Sequence, residues 1–494
     1  MIYTKPRWYW GKARKLEHAS LVHAATRRRG TFRYDGASAG ARLRGWHSTG
    51  NSGNSEVAGG LQKLQQRSRE LMQNEWRAKA AIRAVVRGIA GSSIRPLPTV
   101  SDQEHSRAIK RAWKIHNTEA RASSDSTWDT TVDQAVQAMA TDGECFITAH
   151  VRDRLDGLLV PVQWQLLESD MLDVNYSEDL GKQGRIVQGI EFDAKGRRAF
   201  YHFWSNHPGD SVGFSASGQE RVKVKAGEVI HLWNQAEARP GQVRGVPWTH
   251  AVMVAIRDVG VTEDALRVAL QGSAMTTGFI TSPNQDALAN FMPNDDNPDA
   301  KGTEMLEATP GLFGRLDPGE EVEFTEIKAP AGVTDYLNSG DHGIAQGIGT
   351  TYEDMTGDLK QVNYSSARMG RSNTRAWYRM IRDNVVIPQM CMVAWRWFVS
   401  VGKLAGEIPM GYDYRDVRWV ASAEEGIDPV KDAKAMHARL AAGVSNLEDE
   451  IEGGFGGDYY GTIDGAERVK KDLEKRGLKY DWVVDLSGPA ELPQ

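Results

Sequence analysis

The sequence predicts an α+β protein of several folded units. Three observations carry that reading. Apolar residues recur at helical spacing from Leu61 to Gly91; the period shortens to strand-like alternation between Gly143 and Trp233; long helical patterns return beyond Gly245. The 494 residues correspond to about three domains. Apolar residues at 40% and charged residues at 25% exclude a disordered chain.

Taken in order, residues 1–60 are basic and become Gly/Ser-rich (SAGARLRGWHSTGNSGNSEVAGG), the composition of a poorly ordered arm. Leu61, Leu64, Leu71, Ala81, Ile82, Val85, Val86 and Ile89 then mark one helical run to Gly91, with shorter helices at about 103–117 and 129–141. ECFITAHV and LLVPVQWQLL flank Asp156-Gly157 as a hairpin; RIVQGIEF and RAFYHFW flank a second turn at Asp193–Gly196; RVKV and EVIHLW form a third pair around Ala226-Gly227. After Gly245-Val-Pro-Trp248 comes a helix to Met275, with Val252, Ile256, Val259, Leu266 and Leu270 in one stripe and Glu263 positioned to pair with Arg267. Residues 276–330 are rich in Pro, Gly, Asn and acid, with short strand-like pieces (GFIT, VEFTEI). A Gly-punctuated helix at 335–349 follows, then a long helix from about Tyr364 that Pro388 should kink before it continues through Trp397. The remainder beyond 420 reads as helical, and no internal repeat is present.

The net charge of −5 excludes a nucleic-acid binder held by bulk positive charge. The balance is segregated, however: +9 over residues 1–50, −8 over 276–330 and −7 over 421–494. Cys145 and Cys391 cannot build a disulfide framework or a zinc site, which points to a reducing compartment. The N-terminus has no apolar core of signal-peptide length, and the most apolar stretch, Val385–Val401, is broken by Pro388, Gln389 and Arg396, so it reads as a buried helix and no membrane is expected. No P-loop, HExxH or GxSxG occurs. GIGTTY and GGFGGDYYG follow no convincing strand, and DDNPDAKG puts Ala300 where a calcium loop needs glycine. Glu320 and Glu321, adjacent on a strand, would face opposite sides. His231 on an apolar strand reads as a core residue. No catalytic, metal or cofactor site is expected.

RELMQNEWRAKAAIRAVVRGIAGSSIRP resembles the opening of the lambda-type bacteriophage portal proteins. The similarity continues through VPVQWQLLESDMLD, GIEFDAKGRRAFYHFW, EVIHLWNQAEARPGQVRGVPW, TPGLFGRLDPGEEVEF and TYEDMTGDLKQVNYSSARMGRSNTRAWYR, in the family's order over roughly residues 64–440. The resemblance implies a portal fold: an α/β wing (61–244), a two-helix stem (245–275 and 331–351), a small α/β clip (276–330), a tunnel loop (352–366), a long kinked wing helix (367–410) and a helical crown-like C-terminal region (411–494). It implies a homo-oligomeric ring, usually of twelve subunits, at one capsid vertex, which conducts double-stranded DNA without sequence specificity and docks the large terminase and the head–tail adaptor. Major capsid and scaffold proteins are further expected partners, with the host cytoplasm the site of assembly and the virion the final location. A minor capsid or adaptor protein, or a DNA-processing enzyme, are the alternatives.

Within that frame Asp358, Lys360, Gln361 and Asn363 are expected at the loop tip against the DNA backbone, Lys360 alternatively pairing with Asp358 or a neighbouring subunit. A sliding contact should hold few phosphates, and Lys360 is the only base in Gly357–Tyr364. Arg368, Arg371, Arg375, Arg379 and Arg382 form a stripe suited to intersubunit carboxylates, with DNA-facing charge or a solvated face as alternatives. Asp317, Glu320, Glu321, Glu323 and Glu326 give the clip a negative rim for docking basic partners. Trp377, Trp395 and Trp397 are expected as core or interface anchors.

Overall fold

A computed structural model describes residues 44–45, 47–100, 102–210, 220–274, 278–281, 321–324, 332–360, 364–421, 429–454 and 457–478. Residues 1–43, the greater part of the basic arm, lie outside the described residues. The first helical run is two helices, α1 (Gly53–Asn74) and α2 (Trp76–Ala90), not one. They part at Glu75, whose backbone is extended. Helix α1 also starts eight residues before Leu61. Ser52 caps it, its hydroxyl accepting from the Ser55 N–H at 3.3 Å. The glycines at 53, 59 and 60 hid this turn, because helical spacing cannot be read where side chains are missing.

Helices α3 (Gln103–Glu119) and α4 (Trp128–Asp142) carry the caps their sequences offer, Asp102 and Thr127. Helix α4 ends at left-handed Gly143, where a Cβ would lie 2.3 Å from the Val246 backbone. That close approach brings the chain into the central sheet. The sheet has the order β3 (Val162–Leu167), β2 (Glu144–Val151), β9 (Val229–Trp233), all antiparallel, so the first hairpin forms as the alternation predicts. Strand β2 is buried on both faces. Cys145 and Ile147 pack on the helical core, while Phe146 joins Tyr201, Phe203 and Val229 on the other side.

The second layer is a five-stranded meander: β4 (Glu178–Asp179), β5 (Gly184–Val187), β6 (Ile190–Asp193), β7 (Arg198–Trp204) and β8 (Arg221–Lys225). Two sequence expectations change here. RIVQGIEF is not one strand but the hairpin β5–β6, turned by Gln188 (φ 52°) and Gly189 (φ 82°). Both central residues are left-handed, as a tight hairpin needs, but Gln-Gly is not the usual Asn-Gly signal. Gln188 is held there by its N–H to Ser177 Oγ (2.9 Å) and its amide to Asn54 O (2.7 Å). Nor do β8 and β9 pair with each other. A 3₁₀ turn at Ala226–Glu228 passes the chain from one sheet to the next, β8 joining β7 and β9 joining β2.

After a 3₁₀ turn at Trp248–Ala251, α5 (Met253–Ala274) runs against α6 (Val333–Ile348). Strands β10 (Gly278–Thr281) and β11 (Glu321–Phe324), which lie between them in sequence, pair antiparallel. The predicted stripe on α5 is buried only in its first half, at Val252, Ile256 and Val259; Leu266 is half-buried and Leu270 exposed. Glu263 does not pair with Arg267. It bonds Arg77 instead, and Arg267 turns to Asp264 at 2.7 Å, because a buried guanidinium outcompetes an exposed one for the carboxylate. The glycines of α6 act as close-contact points. A Cβ at Gly347 would sit 2.3 Å from Val252 and one at Gly340 3.0 Å from Val259, so the helices are antiparallel. Gly343 meets nothing within 4 Å.

The short helix α7 (Tyr352–Thr356) leads to α8 (Tyr364–Ile381), which continues through a π-helical segment, Arg382–Cys391, into α9 (Met392–Ala405). Pro388 lies inside the π segment, where the wider turn accommodates its missing N–H. Met369–Ala405 is long and apolar enough to cross a membrane, but 56% of its most apolar window is buried in the protein, as in a core helix. Trp395 is fully buried beside Phe398 and Trp113, and Trp397 donates to Gly227 O at 3.0 Å, so both are anchors within the chain. Strand β12 (Val417–Ala421) then pairs with β1 (Ile94–Pro98). Helices α10 (Pro429–Ala441) and α11 (Tyr459–Lys475) complete the described chain, α11 held to α3 by Lys110–Asp458 (2.5 Å) and Arg107–Asp464 (2.9 Å).

Candidate channel loop and contact surfaces

Helix α7 is capped by Thr351 and stopped by left-handed Gly357. The chain then folds over Asp358, whose carboxylate accepts the Lys360 backbone N–H at 3.0 Å. Asp358 thus shapes the loop, and among the described residues no ion pair joins it to the Lys360 ammonium. Lys360 and Leu359 are exposed. Gln361 and Asn363 lie outside the described residues.

The arginines of α8 do not share one environment. Arg371 and Arg375 are half-buried, Arg379 is exposed, and Arg382, inside the π segment, contacts its neighbour Asp383 at 3.3 Å. Arg368 is helical, but its side chain is outside the described set. Of the acidic residues at 317–326, Glu321 and Glu323 lie on β11, opposite Thr281 and Phe279; Asp317, Glu320 and Glu326 lie outside the described residues.

Two buried charge centres hold these parts together. Arg77, 1% exposed, bonds Asp341 on α6 at 2.5 Å and Glu263 on α5 through two contacts at 2.6 and 3.0 Å. One guanidinium on α2 thus clamps both long helices. The second centre is Glu144. It accepts from Arg244 at 2.5 Å, His231 at 2.9 Å and the Gly245 N–H at 3.1 Å. Burial works to raise the Glu144 pKa, but Arg244 and His231 outweigh it and hold the carboxyl at about 2. Burial pulls His231 down to about 4, partly opposed by Glu144, so the ring is a neutral core group, as expected for it.

Glu168, Asp170 and His207 form the one group among the described residues close enough to surround a metal. The geometry argues against that use. His207 Nδ1 accepts from the Gly209 N–H at 3.0 Å, so the neutral ring carries its proton on Nε2, 3.3 Å from Glu168. A metal-bound histidine needs the opposite tautomer, its free nitrogen donating outward. Arg69 already neutralises the site, contacting Asp170 and, at 2.8 Å, Asp142. This is an ion-pair network.

A family model described as phage portal protein, lambda family, matches residues 39–382. The chain belongs to that family. Among curated relatives, the probable portal protein of Halomonas phage phiHAP-1 is 28% identical over 59% of this chain; the match spans 56% of that protein's length. The portal protein of Escherichia phage N15 is 22% identical over 89% of each chain, and portal protein B of Escherichia phage lambda 22% over 90% of each. Among solved structures, a chain from the neck of a native GTA particle covers 78% of this chain and 92% of its own, with a TM-score of 0.45 and 13% identity. An HK97 family phage portal protein from Corynebacterium diphtheriae covers 74% and 96%, with a TM-score of 0.31 and 10% identity.

As a phage portal protein the chain is a structural component of the virion and not an enzyme. The sequence reading missed two features of this portal chain. The Arg77 clamp joins residues 186 and 264 positions apart, beyond any local pattern. A cleft of about 710 Å³ is lined from five segments, represented by Val57, Gly143, Asn234, Gln346 and Trp377.

Proposed function

We propose that this portal chain assembles as a ring of twelve subunits at one capsid vertex, forming the conduit for double-stranded DNA in packaging and ejection. The large terminase and the head–tail adaptor dock on it, and the ring sits among major capsid and scaffold proteins after assembly in the host cytoplasm. The observation that supports this most directly is the run α5, β10–β11, α6: two antiparallel helices bracketing a small sheet, the order stem, clip, stem. The wing begins at α1, so residues 53–244 serve as the wing, 352–366 as the tunnel loop, 367–410 as the long wing helix and 411–494 as the crown-like region, with the residues before Gly53 as a basic arm.

At the loop tip Lys360, exposed and free of a described ion pair, touches phosphates together with Gln361 and Asn363, while Asp358 fixes the bend. The α8 arginines pair across subunits, and the clip acids Asp317, Glu320, Glu321, Glu323 and Glu326 steer basic partners. Native mass measurement with negative-stain imaging tests the assembly. Twelve chains of 54.6 kDa make about 655 kDa with a central hole. A species that stays at 54.6 kDa at every concentration and salt refutes the ring.

A further inference from the structure

The cleft of about 710 Å³ lies where α1, the segment 234–250, the end of α6 and helix α8 converge. Its walls combine aromatic rings (Trp248 and Trp377, 5.2 Å apart) with amide side chains (Gln346, Asn373). Asn234 is 8% exposed. Its Oδ1 accepts from the Ala236 N–H at 3.1 Å, its Nδ2 is buried with no hydrogen-bond partner among the described residues, and the residue lines this cleft. A buried amide donor left open is costly, and an acceptor that reached it would recover that cost. Glu237 stands exposed among the lining residues, with no ion pair among the described residues.

Helix α8 extends this cleft. At about 3.6 residues per turn, Met369, Asn373, Ala376 and Met380 share one face, and Met369 is 71% exposed. Arg371, Arg375 and Arg379 occupy a face about a third of a turn away, with buried Tyr378 and Ile381 between the two on the core side. A closed head-to-tail ring needs two different surfaces, each meeting a neighbour, and these two faces of α8 offer such a pair. Guanidinium groups suit a wall of tryptophans, amide oxygens and the Glu237 carboxylate, the cleft's other carboxylate, Glu56, being already paired with Arg239. Resting on the ring reading, we propose that the cleft and the Met369–Met380 face of one copy receive the arginine-bearing face of α8 from a second copy.

The test places the photo-crosslinker p-benzoylphenylalanine at position 346, an exposed cleft residue, in the assembled full-length protein. Mass spectrometry then maps the attachment. The expected result is a covalent ladder of chains joined to residues 369–382 of another copy, reduced at least tenfold by Glu237→Arg in a variant that keeps its circular dichroism. An intact ring with no intermolecular product, or with attachment elsewhere in the neighbour or in another protein, overturns the docking and leaves the ring standing. A wild-type chain that forms no ring overturns both.

Discussion

Replacing Arg77 by Met is the sharpest test of how the long helices are held. The side chain is 1% exposed, and its removal leaves Asp341, with a side chain 9% exposed, as an unpaired buried carboxylate on α6. Breaking one partner out of a buried ion pair costs about 3–5 kcal/mol. Glu263 keeps 30% of its side chain in solvent and rehydrates, so most of that cost resides at Asp341. The double variant Arg77→Met with Asp341→Leu has no buried charge left and should recover to within about 1 kcal/mol of wild type. Urea unfolding of the unassembled chain, followed by tryptophan fluorescence, gives both numbers. A single variant that loses under about 1 kcal/mol, the range of an exposed pair, or a double variant no better than the single, would refute the clamp.

Four further outcomes are expected. Burial holds His116 at about 3 between Trp113 and Phe398. The unfolded ring binds its proton near pH 6.5 and the folded ring does not, so stability falls as pH drops from 6.5 towards 3. His116→Phe should flatten that dependence by about one proton in pH-dependent urea titrations, and an unchanged slope would exclude the site. Gly347→Ala should weaken the α5–α6 contact and lower the melting temperature, whereas Gly343→Ala, with open space around it, should gain about 1 kcal/mol of helix propensity; equal effects would contradict the packing. Lys360→Ala should slow DNA packaging into proheads, and an unchanged rate would remove the case for a phosphate contact there. Terminase binding should weaken steeply between low and physiological salt if the clip acids steer it; a salt-insensitive affinity would show that they do not.

What the sequence made legible follows physical locality. The β2–β3 and β6–β7 hairpins could be read because turn residues and alternation lie within a few positions of each other. The Asp193 carboxylate, for instance, accepts the Lys195 and Arg197 N–H groups at 2.8 and 2.9 Å and closes its own turn. The passage from β8 to β9 could not be read, since neighbouring strands in sequence usually pair and here a three-residue turn changes sheets. The Glu263–Arg267 expectation failed for a related reason: spacing shows what a helix offers itself, not what a distant Arg77 offers it. At the candidate site, the order of motifs was enough to place the family, and Lys360 stands exposed in its loop. The cleft beside α8 left no trace in sequence, because five segments contribute to it and none carries a pattern of its own.

The π segment at Arg382–Cys391 gives the long helix a wider stretch. A π turn is wider than an α turn, so Pro388 is carried inside the helix without ending it. Tyr378 and Ile381 on one side, and Trp395 and Phe398 on the other, keep their places in the core. The two packed ends are therefore joined by a continuous rod rather than by a loop, and a movement imposed on one end is carried to the other.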